Sequence, residues 1–198
     1  GAVALSGVVV SSPADALSFS DVQATLALTN VDAMASSSAS ALIVDSVAAA
    51  TISIQGGRFT GAEKAIHLFG AVDAATSISV ERTAAMSGAG HSAIAVDKAF
   101  AGKLAVSLST LSASGDGISF SADVSGHVAL DLADVSSALS NAATFATLTG
   151  ATIRVRGGSL DATAAGHGVH VAGATDASTS LVLADAVVMS SLNGVNVL

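Results

Sequence analysis

The five histidines are the first residues whose side chains could hold a metal ion or transfer a proton. His67 and His170 each occupy the middle of a short alternating segment, and four units of a repeating pattern separate them. His91 and His167 fall in the turn before such a segment, and His127 begins one. None has the spacing of a metal-ligand motif such as His-x3-His, in which two histidines lie four positions apart beside a carboxylate. We therefore expect solvated imidazoles without partners.

Four aspartates recur at a related place in the pattern. Asp21, Asp45, Asp97 and Asp123 each follow an alternating segment by one to four residues. In stacked repeats they would form a carboxylate column that could bind Ca²⁺ or line the groove of a polysaccharide lyase or hydrolase. Turn formation by the aspartate side chain explains the same positions, and no lysine or arginine recurs nearby as a base. We favour turns, and assign no catalytic residue, cofactor or metal ligand.

Two glycine pairs, Gly56 with Gly57 and Gly157 with Gly158, directly follow alternating segments. Neither has the spacing of a phosphate-binding loop or a helix after it. The many serines lack the Gly-x-Ser-x-Gly pattern of a nucleophile elbow. We expect the glycine pairs to form tight corners of the chain.

The composition narrows the class of protein. Of 198 residues, 51% are hydrophobic, only 3% are aromatic and only 11% are charged, against a usual charged share of about 25%. The mean hydropathy is +0.70, yet no apolar run approaches the roughly 18–20 residues of a spanning helix. We therefore expect no membrane insertion of this segment.

The charge and cysteine content exclude further classes. The formal net charge is −8 and there is no basic cluster, whereas nucleic-acid binding depends on cationic groups that neutralise phosphates. With no cysteine in the chain, disulfides, thiolate metal sites and cysteine nucleophiles are excluded.

A repeated signature organises the whole chain. It consists of a polar or small residue, then an apolar, a small or polar and another apolar residue, and it returns every 23 to 28 residues. The eight copies occupy residues 2–5, 25–28, 51–54, 77–80, 103–106, 127–130, 152–155 and 180–183.

Two more features recur inside each unit. One is a second alternating segment, at 16–19, 41–44, 65–68, 93–96, 117–120, 168–171 and 194–197, with its poorest copy near 143–145. The other is a single apolar anchor between the two segments. The eight anchors are Val10, Met34, Phe59, Met86, Leu111, Val135, Leu160 and Met189.

Strict alternation over four or five residues is typical of a β-strand with one buried face. Such short strands cannot fold alone but can stack in register as the coils of a solenoid. The sequence therefore predicts an all-β protein, one single-domain parallel β-helix over 1–198, with about eight coils of about 25 residues and a right-handed sense. The predicted inward column of the first segment is Val3, Leu26, Ile52, Ile78, Leu104, Val128, Ile153 and Leu181.

A longer period is also present, because units about 101 to 103 residues apart resemble each other. We interpret this as an internal duplication of 1–101 and 102–198. Both ends fall inside alternating segments without polar caps. We therefore expect either a segment of a longer solenoid, or coil-to-coil self-association through uncapped ends.

The repeat style resembles a known family. Residues 152–173, TIRVRGGSLDATAAGHGVHVAG, resemble the coils of pertactin-type autotransporter passengers, which repeat an alternating strand, two glycines and a second strand. The alanine-, valine- and serine-rich texture is more weakly similar to trypanosome dispersed-gene-family surface proteins. Catalytic residues of the pectate-lyase-like superfamily, which shares the fold, have no counterpart here, and fold alone does not give function.

The functional expectation is a non-catalytic structural or adhesive β-helix segment, a stalk or passenger that is extracellular or at the cell surface. Its candidate partners are carbohydrate or a host or cell-surface protein. One alternative is a polysaccharide-active enzyme, for which changes of Asp97 and Asp123 to alanine would abolish cleavage. The other is a filament subunit that assembles end to end.

Overall fold

The computed structural model describes residues 1–164 and 166–198. They form a parallel β-solenoid of about seven turns with no helix, which confirms the predicted all-β class. The right-handed sense, the count of eight coils and the duplicated halves 1–101 and 102–198 stay predictions. Ala165 falls inside the stretch that resembles the passenger coils and lies outside the described residues.

The strands of the described residues are short, apart from two of eleven residues. In chain order they are β1 (Val3–Ser6), β2 (Val9–Ser12), β3 (Leu17–Phe19), β4 (Thr25–Ala35), β5 (Leu42–Val44), β6 (Thr51–Gly61), β7 (Ile66–Leu68), β8 (Ser77–Glu81), β9 (Ala84–Ser87), β10 (Ile94–Val96), β11 (Lys103–Ser107), β12 (Thr110–Ala113), β13 (Ile118–Val124), β14 (His127–Asp131), β15 (Asp134–Ser137), β16 (Ala143–Leu148), β17 (Thr152–Arg156), β18 (Ser159–Ala162), β19 (Val169–Val171), β20 (Ser180–Ala184), β21 (Val187–Ser190) and β22 (Val195–Val197).

These strands form three walls. Wall A contains β1, the first half of β4 and of β6, then β8, β11, β14, β17 and β20. Wall B contains β2, the second half of β4 and of β6, then β9, β12, β15, β18 and β21. Wall C is the eight-stranded sheet β3-β5-β7-β10-β13-β16-β19-β22. Because β4 and β6 run through the corner, walls A and B form one sheet.

The register of wall A confirms the predicted inward column. Ile52 pairs with Leu26 on one side and Ile78 on the other, and Ile78 pairs with Leu104. These side chains are buried, as are Val128 and Ile153 further along the column. At the outermost strands the cover is thinner, so Val3 is exposed and Leu181 is half-buried. Alternation therefore placed the core of this wall correctly.

The predicted anchor of wall B is wrong in three units. Met34, Met86 and Met189 point outward and are exposed. The inward position is one residue earlier, so Ala33 and Ala85 are the register partners of the buried Phe59. A ring as large as Phe59 needs small neighbours in a closely packed interior, and alanine meets that need where methionine would not.

Each turn passes from wall A to wall B through a residue with a positive φ angle between 50° and 70°. Glycine adopts this left-handed conformation at little cost, whereas other residues are strained by about 1–2 kcal/mol. The predicted glycine corners are confirmed. At Gly57 a Cβ atom would also overlap the carbonyl oxygen of Val31. The corner column comprises Gly7, Asn30, Gly56, Arg82, Leu108, Leu132, Gly157 and Asp185.

The poorest copy of the second alternating segment, near 143–145, forms strand β16 of wall C. Ala143 and Phe145 of β16 pair with Ile118 and Phe120 of β13. The rings of Phe120 and Phe145 stack with centroids 5.2 Å apart, and Phe100 meets Phe120 edge-on at 5.3 Å. The aromatic pairs compensate for the small side chain of Ala143 and keep this strand in the stack.

Candidate functional site

The four aspartates do not form the column that stacking would produce. Asp45 and Asp97 directly follow β5 and β10, whereas Asp21 and Asp123 precede the bridge-forming residues Val22 and Val124. The two pairs therefore occupy different register positions, one directly after wall C and the other directly before the bridge. No group of three histidine, cysteine or acidic residues that could hold a metal ion is found in the described residues.

Asp176, which is not one of these four, is the clearest example of an aspartate that stabilises a turn. Asp176 accepts hydrogen bonds from the backbone nitrogen of Ser178, 3.2 Å away, and from the hydroxyl of Thr179, 2.8 Å away. It also accepts one from the amide of Gly150 in the preceding turn, at 2.9 Å. The Gly150 amide, followed by Thr179 and Ser178, lowers the pKa of Asp176 to about 2.

A similar turn lies about a hundred residues earlier. Asp73 accepts from the hydroxyl of Thr76 at 2.7 Å and from the amide of Ala49 at 2.9 Å. Thr76, more than the backbone amides, holds the pKa of Asp73 below its ordinary value. Both carboxylates thus tie one turn of the solenoid to the previous one, a structural role that the local turn pattern did not reveal.

Asp97 instead belongs to a charged cluster with Lys64 and His67. Nε2 of His67 lies 2.7 Å from Oδ2 of Asp97, and Nζ of Lys64 lies 3.2 Å from the same oxygen. His67 is the middle residue of β7, Asp97 follows β10 in the next turn, and Lys64 lies in the segment before β7. The expectation of a solvated, unpartnered His67 is therefore wrong, and Lys64 accompanies one of the four aspartates.

Nε2 of His67 has two polar neighbours, because Oδ2 of Asp97 lies 2.7 Å from it and Nζ of Lys64 lies 3.0 Å from it. A carboxylate only accepts hydrogen bonds, so in the His67–Asp97 hydrogen bond Nε2 is the donor, and Nδ1 of His67 has no hydrogen-bond partner in the described residues. Burial tends to raise the pKa of Asp97, but the hydrogen bonds from His67 and Lys64 outweigh it and the pKa is lowered. Asp97 is thus an anion that orients the His67 ring.

An open groove adjoins the cluster on the outside of wall C. Its volume is about 470 Å³. Phe69, which follows β7, stands beside it with 48% of its surface exposed and meets the His67 ring edge-on at 5.5 Å. The lining consists of Asp15, Ser18, Ser20, Ser38, Ala39, Ser40, Ile43, Asp45, Glu63, His67 and Phe69.

Two further histidines, His167 and His170, also contradict the expectation of solvated imidazoles without partners. The rings of His167 and His170 stack with centroids 5.1 Å apart. Nδ1 of His167 accepts the backbone N–H of Asn193 at 3.1 Å, and Nδ1 of His170 lies 3.1 Å from Nδ2 of Asn196. This pair anchors the outermost described strand of wall C.

The remaining predicted positions are scattered. His170 lies on the same outward column as His67, but the strands β10, β13 and β16 separate them. His127 begins β14 and is exposed, and His91 is half-buried in a turn. The Lys64–His67–Asp97 cluster and the groove beside it are therefore the candidate functional site.

A further depression lies at the corner between walls A and B. It is lined by Asp131, Leu132, Arg156, Gly157 and Asp185. Oδ1 of Asp131 is buried and has no hydrogen-bond partner within the described residues. A buried carboxylate oxygen without a partner is costly, so this corner is polar but incompletely satisfied.

Comparison with other proteins gives no match to a family model, to a curated protein or to a solved structure. In the described part of the chain, no helix has the length and hydrophobicity to cross a membrane. The cluster and the groove are therefore interpreted from their own geometry.

Proposed function

We propose that the chain is a non-catalytic β-solenoid segment that serves as a rigid stalk or adhesive surface of an extracellular or cell-surface protein. The observation that supports this most is the contrast between the two sides of each strand. Inward neighbours such as Ile52, Ile78 and Leu104 stay large and apolar from turn to turn. The intervening outward residues of wall A, such as Ser53 and Ala105, are small, which leaves a flat surface free for contact.

The surface location rests on the resemblance of residues 152–173 to pertactin-type passenger coils. A parallel ladder that bonds every turn to the next resists bending, which suits a stalk. Carbohydrate and host or cell-surface proteins are the proposed contacts of the outward faces.

In the experiment, the purified chain is incubated with a panel of immobilised neutral and acidic polysaccharides. Retention of the chain is measured, together with new reducing ends or unsaturated products. We expect retention on at least one polysaccharide without cleavage. Turnover of any glycan would overturn the non-catalytic proposal. In parallel, an antibody to the chain should detect the natural protein in the cell-surface or secreted fraction, and a purely cytosolic signal would contradict the location.

A polysaccharide lyase or hydrolase is the second candidate, and the Lys64–His67–Asp97 cluster beside the groove favours it. Carboxylate, imidazole and amine groups are the side chains that accept and donate protons in such reactions. Under this alternative the changes of Asp97 and Asp123 to alanine abolish cleavage, and Asp185→Asn, at the corner between walls A and B, leaves it intact. If the unmodified chain cleaves no glycan, this alternative fails.

End-to-end assembly is the third candidate. Val195 and Val197 of β22 are exposed, whereas their register partners Val169 and Val171 are buried, so another turn could pack on this strand. Further coils of the same protein or a second copy would provide it. Sedimentation at rising concentration distinguishes them, because a filament subunit forms long rods and a uniform monomer excludes this candidate.

A further inference from the structure

We propose that the groove beside Phe69 binds an alkylammonium group, the charged end of a polyamine or of an amino sugar. This site is independent of the proposed stalk or adhesive role, because it depends only on the residues around one groove. Three features support it: an exposed aromatic ring, carboxylates without partners, and an imidazole nitrogen without a hydrogen-bond partner in the described residues.

Phe69 is the exposed aromatic ring of the groove. The phenylalanines of the interior, Phe59, Phe100, Phe120 and Phe145, are fully buried, whereas Phe69 lies outside wall C. Its contact with His67 is edge-on, at an interplanar angle of 84°. Because 48% of the Phe69 surface is exposed, the ring is accessible from solvent, and an accessible aromatic face attracts a cation through its quadrupole.

Carboxylates flank this ring along the stack. The amide of Phe69 donates to the carbonyl of Val44, the residue before Asp45, and the amide of Asp97 donates to the carbonyl of Leu68, the residue before Phe69. Asp45, Phe69 and Asp97 therefore occupy the same position on successive turns, about 4.8 Å apart. The aromatic ring lies between two acidic side chains.

The groove has unpaired negative charge. Asp15, Asp45 and Glu63 line it, and none of its lining residues is a lysine or arginine. Asp15 accepts the amide of Ser40 at 2.9 Å, whereas no hydrogen bond or ion pair within the described residues occupies the carboxylates of Asp45 and Glu63. This charge distribution favours a cationic ligand over a neutral sugar.

His67 provides the third contact. Its side chain is only 10% exposed, and its Nε2 contacts Asp97 and Lys64. Nδ1 has no hydrogen-bond partner in the described residues, and the ring lines the groove. When Nε2 carries the ring proton and donates it to Asp97, Nδ1 accepts a hydrogen bond, which an N–H of an ammonium group supplies. Asp97 is therefore a positioning residue for this site.

The test measures binding of three probes by nuclear magnetic resonance, following the signals of Phe69 and His67. The probes are spermidine, a glucosamine trimer and the N-acetylglucosamine trimer. Spermidine and the glucosamine trimer carry ammonium groups and should bind, while the acetylated trimer, which has lost its charge, should not. Binding of spermidine alone assigns the site to polyamines, and binding of the glucosamine trimer alone assigns it to amino sugars.

Three variants locate the site. Phe69→Leu keeps an apolar side chain but removes the ring, and Asp45→Asn removes one charge; each should weaken binding about two- to fivefold. Asp185→Asn changes the net charge equally at the corner between walls A and B, away from the groove, and should leave affinity unchanged. The proposal is overturned if neither ammonium probe binds at up to roughly 10 mM, if the acetylated trimer binds equally well, or if Asp185→Asn weakens binding as much as the groove variants.

Discussion

The imidazole of His67 lies 2.7 Å from the carboxylate of Asp97, although the two residues are thirty positions apart in the chain. They meet because one turn of the solenoid separates β7 from β10. The contact makes an acidic side chain of one turn the partner of a basic side chain of the previous turn. Turn length, and not local sequence, therefore determines which polar groups become neighbours.

The first prediction concerns this contact. His67→Leu approximately keeps the volume of the side chain but removes its hydrogen bond to Asp97, so the pKa of Asp97 should rise because burial then acts with less opposition. Carboxyl carbon resonances followed through a pH titration measure this. An unchanged pKa of Asp97 in the variant would show that Lys64 alone holds it down.

Acid stability is the second prediction. The folded-state pKa of Asp176, about 2, lies below its ordinary value of 3.8, so its stabilising contribution is present above pH 4 and is lost as the pH falls toward 2. Asp73, whose pKa is also lowered, acts in the same sense. Urea unfolding at pH 5 and pH 2.5 should therefore show a smaller loss in Asp176→Asn than in the unmodified chain. Asp185→Asn, which removes an exposed charge of the corner column, should show the full loss, and equal losses in all three proteins would refute the assignment.

The corner column supplies the third prediction. Leu108 is 50% exposed and has a φ angle of 50°, a conformation that glycine adopts without strain. Leu108→Gly should raise the free energy of unfolding by about 1 kcal/mol. Leu139→Gly is the matched control, because Leu139 is also exposed but has no left-handed φ. It should lower the free energy of unfolding, and a similar loss in both variants would contradict the proposed strain.

The fourth prediction tests the outward placement of the methionines. The chain has three, and Met34, Met86 and Met189 are all exposed. Mild peroxide should add one oxygen to each side chain without changing the melting temperature, because the sulfoxide makes a side chain polar and disturbs only packed surroundings. Mass spectrometry counts the oxygens. Slow oxidation with loss of folded structure would place these side chains in the core after all.

The core was predictable from sequence where the alternation was regular. In wall A, residues such as Ile78 and Leu104 could be placed because each strand has a period of two and one buried face. Wall B could not be placed in the same way. Hydrophobicity favours Met34 over Ala33 as the inward anchor. The volume of Phe59 instead favours the smaller residue at the inward position.

The cluster was not predictable, for a different physical reason. Lys64, His67 and Asp97 contact one another only once the register of β7 on β10 is known. A search for ligands at fixed short spacings does not detect such a contact. One sequence feature pointed to this region: Asp45 and Asp97 each directly follow an alternating segment. The feature predicts stacked aspartates, but Phe69 occupies the same position in the turn between them.

Two adjacent substitutions in β8 test the inward and outward placement of the side chains. Ile78 is 2% exposed in the inward column, and Ser79 is its outward neighbour. Ile78→Asp buries a charge without a partner and should cost about 4 kcal/mol or more, enough to unfold the adjoining turns. Ser79→Asp should change the free energy of unfolding little. Thermal and urea unfolding of both variants decide the matter: the predicted result is a large loss for Ile78→Asp alone, and unchanged melting of that variant would contradict the inward and outward assignment on which the fold and the groove both depend.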